Sequence, residues 1–249
     1  MPTRWLRGTR PHTASAIRVI DMSRIFITFD TETTGLKLAD TDLSVPSSLR
    51  TRGDEVCQIG GIICDESMEP IKMFCHYCDT VKIDVDRGAQ QVNRIYMDEV
   101  RKYVRAQYLS IVLMERLREF FYNDVVFIGY NSEFDLSMVK QTVSNTDMKF
   151  EWEPLKGSII PKHGRVSVDV SQFHMMHNNG RTFRQKLSSF DKKLEGPRDA
   201  FIQQYAHVMV ESNCDELFVP SWNQRHSAFY DALNTHLLWR DTVWRKKLI

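Results

Sequence analysis

The stretch Arg24-Ile-Phe-Ile-Thr-Phe-Asp-Thr-Glu-Thr-Thr-Gly35 decides how this chain folds. Its first half is a short apolar run, which is typical of a buried strand. Because side chains alternate along a strand, Asp30 and Glu32 are expected on the same face with adjacent carboxylates. Two such carboxylates repel each other unless a cation lies between them. Gly35 allows a sharp exit in which the backbone can approach a ligand closely. The alternative interpretation is a solvated strand end followed by a turn.

Two more strands are predicted directly after this stretch. Val56 to Cys64 and Ile71 to Tyr77 are apolar segments separated by the polar turn Asp65 to Pro70. Three consecutive strands with short links predict an antiparallel meander. Lys37 to Glu55 is rich in Asp, Ser, Thr and Pro, and we interpret it as an inserted surface loop.

Helices and strands alternate in the second half of the chain. The predicted elements are a long helix over Asp98 to Tyr122, a strand at Val125 to Ile128, a helix at Phe134 to Val143, a strand at Val166 to Val170 and a last helix from about Ser227 to Trp244. Asn145 to Gly164 is interpreted as a second insertion. Strand, helix, strand order after a meander predicts an α/β fold, with a mixed five-stranded sheet flanked by helices.

Charge is distributed unevenly along the chain. There are 33 Lys and Arg against 32 Asp and Glu, which gives a net charge of +1. Residues 1–24 carry +4 and residues 240–249 carry +3, so the body between them carries −6. An acidic body is not a general polyanion binder, because such binders neutralise phosphates with many Lys and Arg. If this body handles phosphates, we expect it to use cations.

The termini and the cysteines limit the class of protein. Residues 1–23 are interpreted as a basic, flexible tail, with an organelle transit peptide as the alternative. Residues 24–249 are interpreted as one domain, with two small domains as the alternative. No apolar run approaches the roughly 18 to 20 residues that span a bilayer, so we expect no membrane segment and a cytoplasmic location. Five cysteines fit a reduced protein better than a disulfide framework. For the C-x-x-C pair Cys75 and Cys78, a structural metal is the alternative to ordinary buried cysteines.

Two further segments carry residues suited to chemistry. Asn131-Ser-Glu-Phe-Asp135 follows a predicted strand, at the edge where open α/β sheets bind ligands, although helix capping is the alternative. His226-Ser-Ala-Phe-Tyr-Asp231 places His and Asp five residues apart at the start of the last helix. His236 and Asp241 repeat this spacing in mid-helix, where such a pair usually forms a solvated face. The first pair is therefore the candidate.

In this order, Phe29–Gly35, Asn131–Asp135 and His226–Ala232 resemble the three exonuclease motifs of the DEDDh 3′-to-5′ exonuclease family. The likeness is greatest to its proofreading subunits of bacterial replicases. The resemblance implies a ribonuclease H-like fold over about residues 24–245 and release of nucleoside 5′-monophosphates from a 3′ end. The two insertions and the long segment Phe190 to Arg225 depart from the family pattern.

The resemblance also assigns roles to residues. It implies that His226 is the general base and that two Mg²⁺ or Mn²⁺ ions are bound by four carboxylates, those of Asp30, Glu32, Asp135 and Asp231. The chemistry agrees, because hard cations prefer oxygen ligands, two ions can activate a water and stabilise the leaving oxygen, and His titrates near neutral pH. By the same likeness the terminal nucleotide would be gripped by Thr33, Leu36, Asn131 and Phe134. Leu36 is a candidate wedge between bases, and packing on the sheet is the alternative role for Phe134.

The expected substrate is single-stranded or frayed DNA, in proofreading or repair. An RNA-trimming exoribonuclease and a replisome-associated nucleic-acid-binding scaffold with a vestigial site are the alternatives. A DNA polymerase or sliding clamp is a candidate partner, since Gln185 to Phe190 faintly resembles a clamp-binding peptide, although we expect Leu187 to be a core contact. A basic segment could follow the strand's phosphates or form a solvated helix face; it contains Arg181, Arg184, Lys186, Lys192 and Lys193.

Overall fold

The computed structural model describes residues 24–38, 53–81, 85–103, 107–120, 124–145, 167–178, 181–211 and 226–244. The predicted N-terminal tail and nearly all of the two predicted insertions lie outside these residues. Within the described ranges no helix is long and apolar enough to cross a membrane.

A mixed sheet forms the centre of the molecule. Its strands are β1 (Arg24–Thr33), β2 (Val56–Cys64), β3 (Pro70–Asp79), β4 (Gln107–Tyr108), β5 (Asp124–Gly129) and β6 (Ser167–Asp169), in the order β4-β3-β2-β1-β5-β6. β2 is antiparallel to both β1 and β3, whereas β5 is parallel to β1 and to β6. The predicted meander and the predicted parallel crossovers are therefore confirmed. The two-residue β4 adds a short edge to the five predicted strands.

Helices and a separate hairpin complete the fold. The helices are α1 (Arg87–Asn93), α2 (Met97–Tyr103), α3 (Leu109–Leu117), α4 (Ser132–Ser144), α5 (Asp191–Gln204), α6 (Ala206–Glu211) and α7 (Ala228–Trp239), and the hairpin pairs β7 (Met175–Asn178) with β8 (Arg181–Arg184). The predicted last helix is confirmed, as α7 continued by a π-helical turn over Arg240–Trp244.

Helices cover both faces of the sheet, and β1 shows why its sequence is apolar. Ile25, Ile27 and Phe29 lie in a core with side chains of α3 and α4, while Phe26 lies in a second core with α5 and α7. A strand buried on both faces is an unbroken apolar run. By the same alternation Asp30 and Glu32 lie on the α7 side of the sheet.

The single long helix predicted over residues 98–122 is wrong. The chain instead forms α2 and α3, separated by β4. Gln107 and Tyr108 pair in parallel with Cys78 and Asp79, so sheet hydrogen bonds at the edge interrupt the helix. The apolar spacing continues because Val100 of α2 and Leu109 of α3 are both buried. Periodicity alone could not reveal the break.

The cysteines are ordinary core residues in the described part of the chain. Cys57, Cys64, Cys75 and Cys78 are buried and form no disulfide. Burial raises the pKa of the Cys78 thiol well above its ordinary range, which disfavours the thiolate that metals bind. Among the described residues the one group able to hold a metal contains no cysteine. The structural-metal alternative for Cys75 and Cys78 therefore has no support here.

Candidate active site

Acidic side chains from β1 and α7 meet at the carboxyl end of β1. Asp30, Glu32 and Asp231 each offer a carboxylate oxygen, and these oxygens lie within 4.8 Å of one another. All three side chains are partly buried, so this is not the solvated strand end considered above. Three carboxylates at this separation form the kind of oxygen cluster that hard cations prefer.

β2 brings α7 close enough to complete the cluster. In the β1–β2 register Gly60 lies opposite Asp30, and Gln58 lies opposite Glu32. A Cβ atom on Gly60 would lie 2.3 Å from the backbone nitrogen of Phe229, so only glycine permits this approach. The Gln58 side-chain oxygen accepts a hydrogen bond from the Ala228 N–H at 2.9 Å. The sequence motifs do not include Gln58 or Gly60, although a glycine inside a strand is a signal of close backbone approach.

The first turn of α7 orients Asp231. Ser227 is the N-cap, and its hydroxyl oxygen accepts from the Tyr230 N–H at 3.3 Å. The Asp231 N–H donates to the Ser227 carbonyl at 3.0 Å, which starts the helical hydrogen bonding. A carboxylate in the first turn is also favoured by the positive end of the helix dipole.

Asp135 reaches the same edge from α4. Its Oδ1 accepts two hydrogen bonds from Thr31, one from the backbone N–H at 3.2 Å and one from the hydroxyl at 2.6 Å. Thr31 lies between Asp30 and Glu32, so these bonds hold Asp135 against the cluster. Burial raises the pKa of Asp135 to about 7, although the Thr31 hydrogen bonds act in the opposite direction. Thr31 is a supporting residue that sequence reasoning missed.

The two carboxyl groups that β1 contributes to this cluster have raised pKa values. Burial raises the pKa of Asp30 well above its ordinary value, and repulsion from Asp135 and Asp231 raises it further. Glu32 shows the same pattern, while a hydrogen bond from Asn93 of α1 lowers its pKa. Carboxylates that raise one another's pKa would be stabilised by a bound cation. Asn93 is a second supporting residue that the sequence did not reveal.

His226 stands immediately before the cap of α7. Its backbone has a φ of 65°, a left-handed conformation that costs a non-glycine residue on the order of 1 kcal/mol. The Nδ1 atom lies 3.9 Å from Oδ2 of Asp231, and 37% of the side chain is exposed. The structure therefore brings His226 to the carboxylate cluster while leaving it accessible to solvent.

The second His–Asp pair does not form the solvated face that its mid-helix position predicted. Asp241 is exposed, but His236 is fully buried, with its ring 5.4 Å from that of Phe201. Its Nδ1 lies 3.3 Å from the Thr28 hydroxyl. Burial lowers the pKa of His236 to about 3, with a further contribution from Arg240. This histidine is a neutral core residue because α7 packs its middle against β1.

The sequence of this chain matches one family model over most of its length. Residues 27–196 match the RNase T model, which is described as exonuclease. The chain belongs to this family of DEDD-type 3′-to-5′ exonucleases. The matched region contains Asp30, Glu32 and Asp135 and ends before His226 and Asp231. No curated protein matches the chain by sequence.

Solved structures share the fold of this exonuclease at low sequence identity. E. coli exonuclease I in complex with a dA16 oligonucleotide has a TM-score of 0.55 and 15% identity, over 89% of this chain and 42% of that one. The zinc-bound form of the E. coli exonuclease I–ssDNA complex gives 0.53 and 16%, over 91% and 41%. Exonuclease I from Methylocaldum szegediense gives 0.53 and 14%, over 87% and 40%. The chain thus spans about two fifths of the length of these relatives.

The residues expected to grip a nucleotide occupy different environments in this exonuclease. Leu36 is 78% exposed beside the end of β1, as a wedge would need to be. Thr33 is buried, and its hydroxyl donates to the Gly35 carbonyl at 2.6 Å. Phe134 is partly buried against the α3–α4 core, which fits the packing alternative. The tight turn at Gly35 accommodates protein groups, since a Cβ atom there would lie 2.4 Å from the Asp54 carboxylate.

Asn131 is held by a network that sequence reasoning missed. It has a φ of 80°, and its side chain makes no capping bond to α4. Its N–H donates to Asp169 Oδ1 at 2.9 Å, and its side-chain oxygen accepts from Arg184 at 2.8 Å. Arg184 also lies 3.3 Å from Asp169 Oδ2. The available signal was the position of Asp169 at the carboxyl end of a predicted strand, where ligand sites form.

Proposed function

We propose that this exonuclease requires divalent cations and removes nucleoside 5′-monophosphates from the 3′ ends of single-stranded or frayed DNA, in proofreading or repair. The observation that most supports the proposal is the approach of Asp30, Glu32 and Asp231 oxygens to within 4.8 Å of one another. Asp135, bonded to Thr31 beside them, supplies a fourth carboxylate.

The donor set fits two Mg²⁺ or Mn²⁺ ions. All four candidate ligands, Asp30, Glu32, Asp135 and Asp231, are carboxylates, and four negative charges balance two divalent ions. Without cations, burial and then mutual repulsion raise the pKa of Asp30 and of Glu32. Bound ions supply Lewis-acid polarisation of the phosphate and a water of lowered pKa. The protein's own contribution is to hold the oxygens at fixed positions on three elements.

His226 is proposed to accept the proton of the attacking water. Nδ1 faces Asp231 at 3.9 Å, so Nε2 is the nitrogen that would take the proton. The partly exposed ring can then pass the proton to solvent. His has an ordinary pKa near 6.5, which suits proton transfer at neutral pH. Its position before the helix lets the imidazole turn toward the cluster.

The choice of DNA is also part of the proposal. The E. coli exonuclease I structures with this fold contain single-stranded DNA or a dA16 oligonucleotide, and one contains zinc. Those chains are more than twice as long. A DNA polymerase or sliding clamp is proposed as a partner of this chain because Gln185 to Phe190 faintly resembles a clamp-binding peptide. The retained set of carboxylates disfavours a vestigial scaffold.

A single assay tests this proposal. Purified protein is incubated with 5′-labelled DNA and RNA oligonucleotides, single-stranded, paired and mispaired, with Mg²⁺, Mn²⁺ or a chelator. We expect a ladder of single-nucleotide steps only with metal, faster on single-stranded and mispaired DNA than on paired DNA. Faster release from RNA would select the exoribonuclease alternative, and no release with either metal would overturn the proposal.

A further inference from the structure

The hairpin of β7 and β8 stands beside the active site without contributing to the chemistry proposed above. Met175 pairs with Arg184 at its base, and Asn178 pairs with Arg181 toward its tip. The base is fixed to the turn that leads into α4, because the Tyr130 hydroxyl donates to the Gln185 carbonyl. The hairpin therefore begins at the same end of the sheet as the carboxylate cluster, at the carboxyl ends of β1 and β5.

Apolar side chains are exposed along this hairpin. Met175, Met176 and Phe183 are 41%, 43% and 43% exposed. Met176 and Phe183 lie directly opposite each other, so they share one face of the two-stranded sheet. An exposed apolar pair on one face of a hairpin is typical of an interaction surface.

The charge around this pair selects the class of partner. Residues 170–190 contain three Lys and Arg and no acidic residue, within a body that carries −6 overall. Arg181 lies two residues from Phe183, and therefore on the same face of the hairpin. Cations interleaved with an exposed aromatic ring are the pattern that holds the backbone and the bases of a single strand.

Arg184 links the hairpin to the site. Its Nη1 donates to Asn131 at 2.8 Å and lies 3.3 Å from Asp169, while 47% of its side chain is exposed. Its Nε and Nη2 have no hydrogen-bond partner among the residues that the structure describes. Because Nη1 already holds the guanidinium in place, Nε and Nη2 can donate to a phosphate without further ordering of the Arg184 side chain.

We propose that this hairpin binds the single-stranded segment immediately 5′ of the terminal nucleotide. Phe183 and Met176 pack on a base, and Arg181 binds a backbone phosphate on that same face. Arg184, at the base of the hairpin and on its opposite face, binds the phosphate nearest the site. The hairpin thereby supplies the positive surface that the acidic body lacks. This inference rests on the proposed nuclease function and names where that site holds the rest of its substrate.

The test compares a long and a minimal substrate in the full chain. Phe183→Ala should raise KM about tenfold for a single-stranded oligonucleotide of about twelve residues, because stacking on one base is lost. The same variant should leave turnover of the p-nitrophenyl ester of thymidine 5′-monophosphate unchanged, since that ester has no upstream strand. Met114→Ala is the matched control, because Met114 is also 43% exposed but lies on α3.

A salt titration separates stacking from phosphate contact. Fluorescence anisotropy with Ca²⁺ measures binding of the labelled oligonucleotide. In Arg181→Gln the slope of log K against log salt should become shallower by about 0.7. Phe183→Ala should weaken binding without changing the slope. Arg24→Gln is the control, because Arg24 pairs with Asp124 at the opposite end of β1.

The outcomes distinguish this inference from the nuclease proposal. If the hairpin variants match their controls in KM, affinity and salt slope, the hairpin does not hold the strand, and a protein partner for Phe183 becomes the explanation of the patch. An equal loss on the ester and on the oligonucleotide would also overturn the inference. If the wild type cleaves neither substrate, the nuclease proposal fails, while the anisotropy measurement still tests the hairpin.

Discussion

The two ends of α7 carry His–Asp pairs of the same spacing in opposite environments. His226 is 37% exposed and faces Asp231, whereas His236 is fully buried and Asp241 points to solvent. Five residues advance a helix by about 500°, so a pair within it cannot face each other. This restriction does not apply to His226, because it precedes the helix and has a left-handed backbone conformation. The spacing of a His and an Asp therefore does not predict whether they form a site. Their position relative to the start of the helix determines whether the two side chains can face each other.

The aspartates should show the largest difference. Asp231→Asn removes a proposed metal ligand, and several kcal/mol of transition-state stabilisation correspond to a loss of about 10⁴-fold in nucleotide release. Asp241→Asn should retain wild-type activity. Release rates on 5′-labelled single-stranded DNA with Mg²⁺ check both variants. Equal losses would mean that the cluster is not the catalytic centre.

The histidines should differ next. His226→Ala should lower kcat by about 10³-fold, since general-base catalysis contributes on that scale. His236→Ala should keep kcat within about threefold when rates are normalised to the folded fraction measured by circular dichroism. The reverse ranking would show that His236, and not His226, serves the reaction.

Stability should rank these two variants in the opposite order. His236→Ala leaves a cavity beside Thr28 and Phe201, and we expect it to lower the free energy of unfolding by about 2 kcal/mol. His226→Ala should change it by less than about 0.5 kcal/mol, because the side chain is partly exposed. Urea unfolding with a chelator present measures both. A neutral His236→Ala would contradict the packing described for α7.

Lowering the pH should have opposite effects on the stability contributions of His236 and Asp135. His236 has a folded pKa near 3 and stays neutral, whereas in the unfolded chain it binds a proton below about pH 6.5. The contribution of His236 to the free energy of unfolding therefore decreases as the pH is lowered. The advantage of wild type over His236→Ala should shrink by about 1.4 kcal/mol between about pH 7.5 and 5.5. Asp135 has a raised folded pKa, so without metal wild type should instead gain on Asp135→Asn over the same range. Urea titrations at both pH values check the two signs.

The sequence predicted those parts of the fold that depend on local pattern. β1 and β5 are apolar because both faces are buried, and their ends carry the acidic and amide residues that mark the site. The break between α2 and α3 was missed because it depends on pairing with β3. The hairpin was missed although Asn179-Gly180 is a turn signal, since its strands do not alternate apolar and polar residues.

The candidate site divides in the same way. The four carboxylates and His226 lie in short motifs, so sequence reasoning could find them. Thr31 bonds Asp135, 104 positions away, Asn93 donates to the Thr33 carbonyl, 60 positions away, and Asp169 accepts from Asn131, 38 positions away. No local spacing encodes these contacts. His236 was misjudged because a polar residue in mid-helix is usually solvated, whereas here the sheet covers that face.

The central claim is that the carboxylates from β1, α4 and α7 form a divalent cation site. Crystals soaked in Mn²⁺ and measured at the manganese absorption edge test it most directly. We predict anomalous peaks bounded by Asp30, Glu32, Asp135 and Asp231, which disappear in Asp30→Asn and persist in His236→Ala. A cluster without an anomalous peak at saturating Mn²⁺, or peaks that survive the loss of Asp30, would contradict the account.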